Sequence, residues 1–197
     1  MRSCILASGS PRRREILSHL GLPFEVFATD VEESTDETDP AGLAETLSRR
    51  KGRAALAALC ELRRNVSGKL LIASDTTVFA GGEILGKPRD AEDARRMLTA
   101  LSGRRHEVVS GIYLSLDGRE AVSHAVTEVE FAPLTEGEID AYIRSGEPFG
   151  KAGAYAIQGL AAAFVRGIRG DYFNVVGLPV NRMCELYREV YGEELLF

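Results

Sequence analysis

The sequence predicts an α/β fold built on a mixed sheet flanked by helices. Short apolar, strand-like runs alternate with amphipathic stretches that open on helix-capping residues. Two β-rich runs meet at Asp117-Gly118, the strongest hairpin signal a short sequence carries. A hairpin among strand-helix units makes the sheet mixed rather than purely parallel. No internal repeat, linker or low-complexity segment interrupts the pattern.

Cys4 to Ala7 reads as a short buried strand. Ser10-Pro11 then opens a helix, with serine as N-cap and proline at the first helical position, where its missing N–H costs nothing. Ile16, Leu17 and Leu20 share one side of that helix, and Gly21 supplies a left-handed stop. Phe24 to Ala28 reads as a second strand, and the acidic stretch Asp30 to Asp39 as a solvated loop. Asp39-Pro40 repeats the cap-plus-proline start for a long helix through about Arg64, weakened in its middle by Gly52. Lys69 to Ser74 is an apolar strand expected to end by delivering Asp75 at its carboxyl end. Asp90, with Asp93 three positions on, caps a helix that stops before Gly103.

The hairpin strands run from His106 to Leu116 and from Arg119 to Phe131. Thr135 and Glu138 form a capping box for a helix reaching Arg144. A glycine-rich loop, Gly146 to Gly159, leads to a strand-like run from Ala162 to Ile168, a turn at Gly170 and a last helix from Pro179 to about Tyr191.

At 197 residues, 45% hydrophobic and 27% charged, the chain can bury a core without disulfides or structural metal, as one domain or as two small lobes sharing a sheet. A net charge of -5 leaves no global positive field for DNA or RNA, so an anionic partner must be gripped locally. The arginine triplet Arg12 to Arg14 lacks the basic stripe interleaved with aromatics that an RNA-binding module needs. Apolar runs such as Leu70 to Ala73 fall far short of the ~20 residues that cross a bilayer. The start at Met1 lacks the apolar length of a signal peptide, so a cytoplasmic protein with no membrane partner is expected. Cys4, Cys60 and Cys184 form no CxxC, and His19, His106 and His124 show no ligand-like spacing. A metal, if used, would take carboxylates, which points to Mg²⁺ or Mn²⁺.

Four segments carry candidate chemistry. In Ala7 to Arg14, a strand breaks into Gly and Ser and enters a helix, aiming free N–H groups and the positive helix end at one point. Ser8, Ser10, Arg12 and Arg13 add hydroxyl donors and guanidinium forks suited to a polyphosphate; the bland reading is a capped helix with solvated arginines. The acidic loop holds Glu32 and Glu33, and the strand before Asp75 releases a carboxylate into a crevice of the kind where α/β proteins bind ligands. Brought together, two such carboxylates could hold Mg²⁺ or activate water; apart, Glu33 is a surface charge and Asp75 a turn former. Gly81 to Lys87 fits GxxxxGK, but Pro88 replaces the Ser or Thr of a P-loop and no strand-loop-helix unit surrounds it. Lys87 is then a phosphate ligand in another geometry or a solvated turn lysine. In Gly150 to Gly159, small residues allow close backbone approach around Gln158, whose carboxamide can meet the N3–H and O4 of uracil or thymine if its neighbours orient it. Otherwise Gln158 is a loop glutamine bonded to backbone.

Taken in order, ASGSPRR, Glu33, Lys51, SDTTV, GKP, SGRRHEV, GKAGAYAIQG and GDYFNVVGLPV resemble the Maf family of nucleotide pyrophosphatases, from Ile5 almost to the C-terminus. The resemblance implies a Maf/ITPase-like fold with two lobes around a central cleft, one domain spanning 1–197, a homodimer and divalent-metal dependence. It implies hydrolysis of dTTP and UTP to the monophosphate and pyrophosphate, with Asp75 as proton acceptor for the attacking water and Glu33 helping to bind metal. Ser8, Arg12, Arg13, Lys51 and Lys87 would surround the triphosphate. Arg12, Thr76 and Gln158 stand at positions tied to dTTP and UTP selection; the branch acting on 7-methyl-GTP has Glu in place of Gln158. Gly52 departs from the Ala of many relatives. Two rival functions remain at this point: a nucleotide-binding regulator of septum formation with little catalysis, and an enzyme of broader pyrimidine specificity that includes CTP or 5-substituted UTP.

Overall fold

Strand side chains alternate between two faces, and the early strands of this chain are apolar on both, so helices must cover both. In the computed structural model, which describes residues 2–197 and leaves Met1 outside, β1 (Cys4–Leu6) lies parallel to β2 (Phe24–Val26) and to β3 (Leu70–Ala80). Leu6, Leu70 and Ile72 face α1 (Pro11–His19), which contributes Ile16 and Leu17. Ile5, Leu71 and Ala73 face the opposite way, onto Ala55 and Leu59 of α2 (Pro40–Glu61).

The sheet continues through the short β4 (Glu83–Leu85), the hairpin strands β5 (Arg105–Leu116) and β6 (Arg119–Phe131), and β7 (Val165–Arg169). Its order is β2-β1-β3-β5-β6-β7, with β4 also on β3. β4 pairs antiparallel with β3 from Val78 to Ala80, and the hairpin and β7 are antiparallel too, so the sheet is mixed as expected. The long strands serve two cores. At one end Ile72, Ile112 and Leu114 pack with α1 and α6 (Val180–Tyr191); at the other Val78, Val108 and Val129 pack with α3 (Ala91–Leu101) and α4 (Glu136–Arg144). Two lobes with a cleft between them follow from this division. Among the described residues no helix is long and apolar enough to cross a membrane.

The sheet also makes the cleft. β1 stops pairing with β3 at Ile72, and β4 takes up the same edge only from Val78. Main-chain groups of alternate residues point the same way along a strand. Leu70 N–H donates to Ser3 O and Ile72 O accepts from Ala7 N–H, so the main-chain groups of Ser74 and Thr76 face the gap.

Four sequence readings change. β3 does not end at Ser74; it runs through Asp75 to Ala80 because β5 pairs with it continuously from Ser115 to Glu107. Asp75 reaches the cleft because that strand edge is open. The run from Ala162 to Ile168 is not all strand: Leu160–Phe164 forms a 3-10 turn, because Glu147 accepts the N–H groups of Leu160 and Ala161 and bends the chain there. A short helix α5 (Tyr172–Val176), capped by Asp171, follows the turn at Gly170. Gly52 does not break α2; it is buried where a Cβ would overlap the Tyr113 ring, so the missing side chain lets helix and sheet approach.

His106, 3% exposed, shows how the second core answers to pH. Its Nε2 bonds Tyr155 Oη at 2.9 Å and its Nδ1 has no partner, while burial pushes its pKa down from 6.5 to about 4. Below 6.5 the unfolded chain binds a proton that the folded chain refuses until about 4. Stability is therefore full above that window and falls as pH drops through it, by about 2–4 kcal/mol for such a shift. Urea melts between pH 7 and 4 are expected to show this slope, and His106→Phe to flatten it; an unchanged slope would count against the assignment.

Candidate active site

A cleft of about 790 Å³ opens at the unpaired edge of β3 and collects nine residues named from the sequence: Ser8, Arg12, Arg13, Glu33, Lys51, Asp75, Thr76, Lys87 and Gln158. Five cationic side chains line it, the fifth being Lys151, against the two carboxylates of Glu33 and Asp75. In a chain of net charge -5 this is the local positive field that an anion requires.

The first wall is the β1–α1 junction. Pro11 opens α1 with no acidic residue in its first turn, so the positive helix end stays uncompensated. Ser10 sits at the N-cap without a side-chain cap bond; its N–H instead donates to Ser8 Oγ at 3.3 Å. Ser8 Oγ also accepts from Arg13 Nη1 at 3.0 Å, which leaves its own hydrogen to donate into the cleft. Arg12 and Arg13 part company here. Burial depresses the pKa of both, but Arg13, half-buried at the cleft wall, uses all three nitrogens on the protein: Nε to Gly177 O at 2.7 Å, Nη1 to Ser8 and Nη2 to Thr76 Oγ1 at 3.1 Å. The solvated-arginine reading fails for Arg13.

Thr76 is committed to the same network. Ser110 Oγ donates to Asn174 O at 2.9 Å, so the hydroxyl hydrogen of Thr76 goes to Ser110 Oγ at 2.8 Å. Asn174 is fully buried; its Oδ1 accepts from Ser110 N–H, and its Nδ2 donates to Val108 O and Thr127 Oγ1. Nothing in the residue types marks Ser110 or Asn174 for this task; only the packing of α5 on β5 and β6 brings them to it.

The second wall is a ladder of alternating charge. Asp75, 9% exposed, points toward α2, where Lys51 Nζ donates to its Oδ1 and also to Glu33 Oε1 at 2.8 Å. Lys87, on the turn between Gly86 and Pro88, donates to Glu33 Oε2 at 3.0 Å. Burial alone would raise the Glu33 carboxyl, but its bonds to Lys51 and Lys87 outweigh that and hold it down at about 2. Arg50 pins the loop that carries Glu33 by donating to Glu32 O and Ser34 O on either side of it. Glu33 is thus a held group rather than a free surface charge. The one sequence signal for Arg50 is its place beside Lys51 on α2.

The third wall is the glycine-rich loop. Gly153, at φ +66°, donates its N–H to Gly86 O at 3.1 Å and stitches the loop to the Lys87 turn. Gln158 is exposed to the cleft, and the loop's hydrogen bonds pass through Tyr142, Glu147 and Lys151 rather than through its amide. Lys151 was not singled out from the sequence, although it stands in the same motif.

Among the described residues no group of three or more His, Cys, Asp or Glu side chains is arranged to hold a metal ion. Glu33 and Asp75 offer two hard oxygen ligands joined through one ammonium. That pair fits a cation such as Mg²⁺, which keeps several waters and takes further ligands from substrate phosphates, once Lys51 turns away.

The family model described as Maf-like protein matches residues 3–190. The chain belongs to the Maf family. Curated Maf relatives match along nearly their whole length. A protein of Ruminiclostridium cellulolyticum named dTTP/UTP pyrophosphatase is 48% identical over 194 residues, 96% of this chain and 97% of the relative. Proteins of the same name from Desulforamulus reducens, 45% identical over the full length of both chains, and Chromobacterium violaceum, 47% identical over 96% of this chain and 95% of the relative, are similar to it as well.

Proposed function

We propose that this Maf-family chain is a nucleoside triphosphate pyrophosphatase that hydrolyses dTTP and UTP to the monophosphate and pyrophosphate by attack of water at the α-phosphorus. The observation that carries the reading is a nearly buried carboxylate, Asp75, in a cleft lined by five cations, in a chain whose full-length relatives bear that activity as their name. Neutral ligands have no use for five cations, and a binding module has no use for a carboxylate pointed among them.

The triphosphate lies along the α1 N-terminus, where Ser8 donates its hydroxyl and Arg12 spreads its guanidinium on phosphate oxygens. Arg13 and Thr76 hold Ser8 and the strand edge in place. Lys51 and Lys87 leave the carboxylates for phosphate oxygens, which frees Asp75 to orient the water and take its proton, a role typically worth ~10²–10⁴-fold. The cations stabilise the charge that spreads onto the departing pyrophosphate. Glu33 and Asp75 would hold Mg²⁺ or Mn²⁺, which would neutralise phosphate charge when bound. Gln158 meets the N3–H and O4 of uracil or thymine. A homodimer in the cytoplasm belongs to the same proposal.

Incubation of the purified protein with Mg²⁺ and, separately, dTTP, UTP, CTP, GTP, ATP and 7-methyl-GTP tests the reading when both pyrophosphate and orthophosphate are measured. Pyrophosphate chiefly from dTTP and UTP is the expected result. Orthophosphate alone would move the cleavage to the γ-phosphate, and no release from any triphosphate by folded protein would return the chain to a non-catalytic nucleotide binder.

A further inference from the structure

Gln158 stands in a segment whose main chain is gripped on both sides by two side chains that have no role in the reaction described above. On the N-terminal side, Ala156 N–H donates to Tyr142 Oη at 3.3 Å. On the C-terminal side, Leu160 N–H and Ala161 N–H donate to the Glu147 carboxylate at 3.0 and 3.4 Å. The two grips are one unit, because Tyr142 Oη–H donates to Glu147 Oε1 at 2.9 Å.

The unit is rigid by construction. Tyr142 is buried, with its ring edge against Phe164 at 5.2 Å between centroids. Burial and the bond to Glu147 push its hydroxyl well above the usual tyrosine range, so it stays a donor. Burial would raise the Glu147 carboxyl, but the N–H groups of Leu160 and Ala161 and the Tyr142 hydroxyl hold it below its ordinary value, so it stays an acceptor. Gly159 lies between the gripped residues, and a Cβ there would overlap the Glu147 carboxylate. The segment therefore closes tightly around that group.

A carboxamide discriminates bases only when its donor and acceptor are held at set positions, since a free amide turns over and pairs equally well with cytosine. The amide of Gln158 is outside the loop's own hydrogen bonds, so what the fold holds is the main chain from which its side chain leaves for the cleft. We infer that Glu147 and Tyr142 are positioning residues for base selection, which fix the backbone on both sides of Gln158 and so hold the point from which its amide reaches the base. The inference rests on the proposed reading of Gln158 as the base-facing residue.

The test compares wild type, Glu147→Ala, Tyr142→Phe, Gln158→Ala and the Glu147→Ala/Gln158→Ala double variant. Pyrophosphate release from dTTP, UTP and CTP and the affinities for dTMP and CMP are measured for each. The kcat/KM ratio of dTTP over CTP is expected to fall about tenfold in Glu147→Ala and less in Tyr142→Phe, as a loss of one or two well-placed hydrogen bonds predicts. The loss should appear more in KM than in kcat. In the double variant the ratio should equal that of Gln158→Ala alone, because both substitutions remove one interaction.

A merely structural role would lower kcat/KM for all nucleotides in the same proportion and add to the Gln158→Ala effect; either result overturns the inference. Tyr142→Phe keeps the buried ring and removes one oxygen, so it answers the question if Glu147→Ala fails to fold. Binding separates the two hypotheses. A wild type that prefers dTMP over CMP, loses that preference in the variants and releases no pyrophosphate would end the hydrolase reading and keep the clamp. A wild type with no preference in either measurement would end the clamp.

Discussion

Asp75→Asn is expected to stop pyrophosphate release while triphosphate binding survives. Asparagine keeps the shape of the side chain, so β3 and its pairing with β5 are undisturbed. What disappears is the negative charge and the ability to take a proton. Loss of a general base costs ~10²–10⁴-fold in turnover. Binding moves the other way. Removing one of two carboxylates from a cleft with five cations raises its positive field, and Lys51 keeps Glu33 as its one anchor. Calorimetric binding of a non-hydrolysable triphosphate should therefore be unchanged or tighter. A variant that still turns over at the wild-type rate would remove Asp75 from the chemistry.

The second large effect is expected from Arg13→Lys, which keeps the charge and loses the fork. An ammonium on a flexible stem cannot reach Gly177 O, Ser8 Oγ and Thr76 Oγ1 together, as the guanidinium does. Gly177 O keeps the Ser74 hydroxyl, Ser8 Oγ keeps the Ser10 N–H and Thr76 Oγ1 keeps Ser110, so no acceptor is orphaned, and the lost bonds should cost about 1–3 kcal/mol in total. Ser8 would also lose the bond that directs its hydrogen into the cleft. The fall in kcat/KM is expected to be ~10²-fold or more, the scale of removing a preorganised donor. Denaturant melts and kinetics on the same preparation check both halves. If Arg13→Lys is as stable as wild type, Arg13 faces the ligand instead of the protein.

Much of this was legible in the order of the residues. The cap-plus-proline starts at Ser10-Pro11 and Asp39-Pro40, the Asp117-Gly118 hairpin and the Thr135/Glu138 capping box all stand where local chemistry places them. The nine residues named for the site line one cleft. Less legible were those whose partners are distant in the chain. The length of β3 depends on β5, some 35 residues later, and the bend at Leu160–Phe164 on Glu147. Arg50 draws no notice as one basic residue in a run of three, yet it sets where Glu33 stands.

The sequence by itself determined the fold class, the capped helices, the hairpin and the roster of charged and polar groups, because those features rest on neighbours within a few residues. Tertiary structure alone decided that Asp75 stands at an open strand edge rather than a strand end. It alone decided that Arg13 bonds to protein on all three nitrogens while Arg12 does not share that network, and that Lys51 bridges Glu33 and Asp75. The reason is physical: a side chain's type states which hydrogen bonds and charges it can form, and only the packing of strands and helices chooses among the partners.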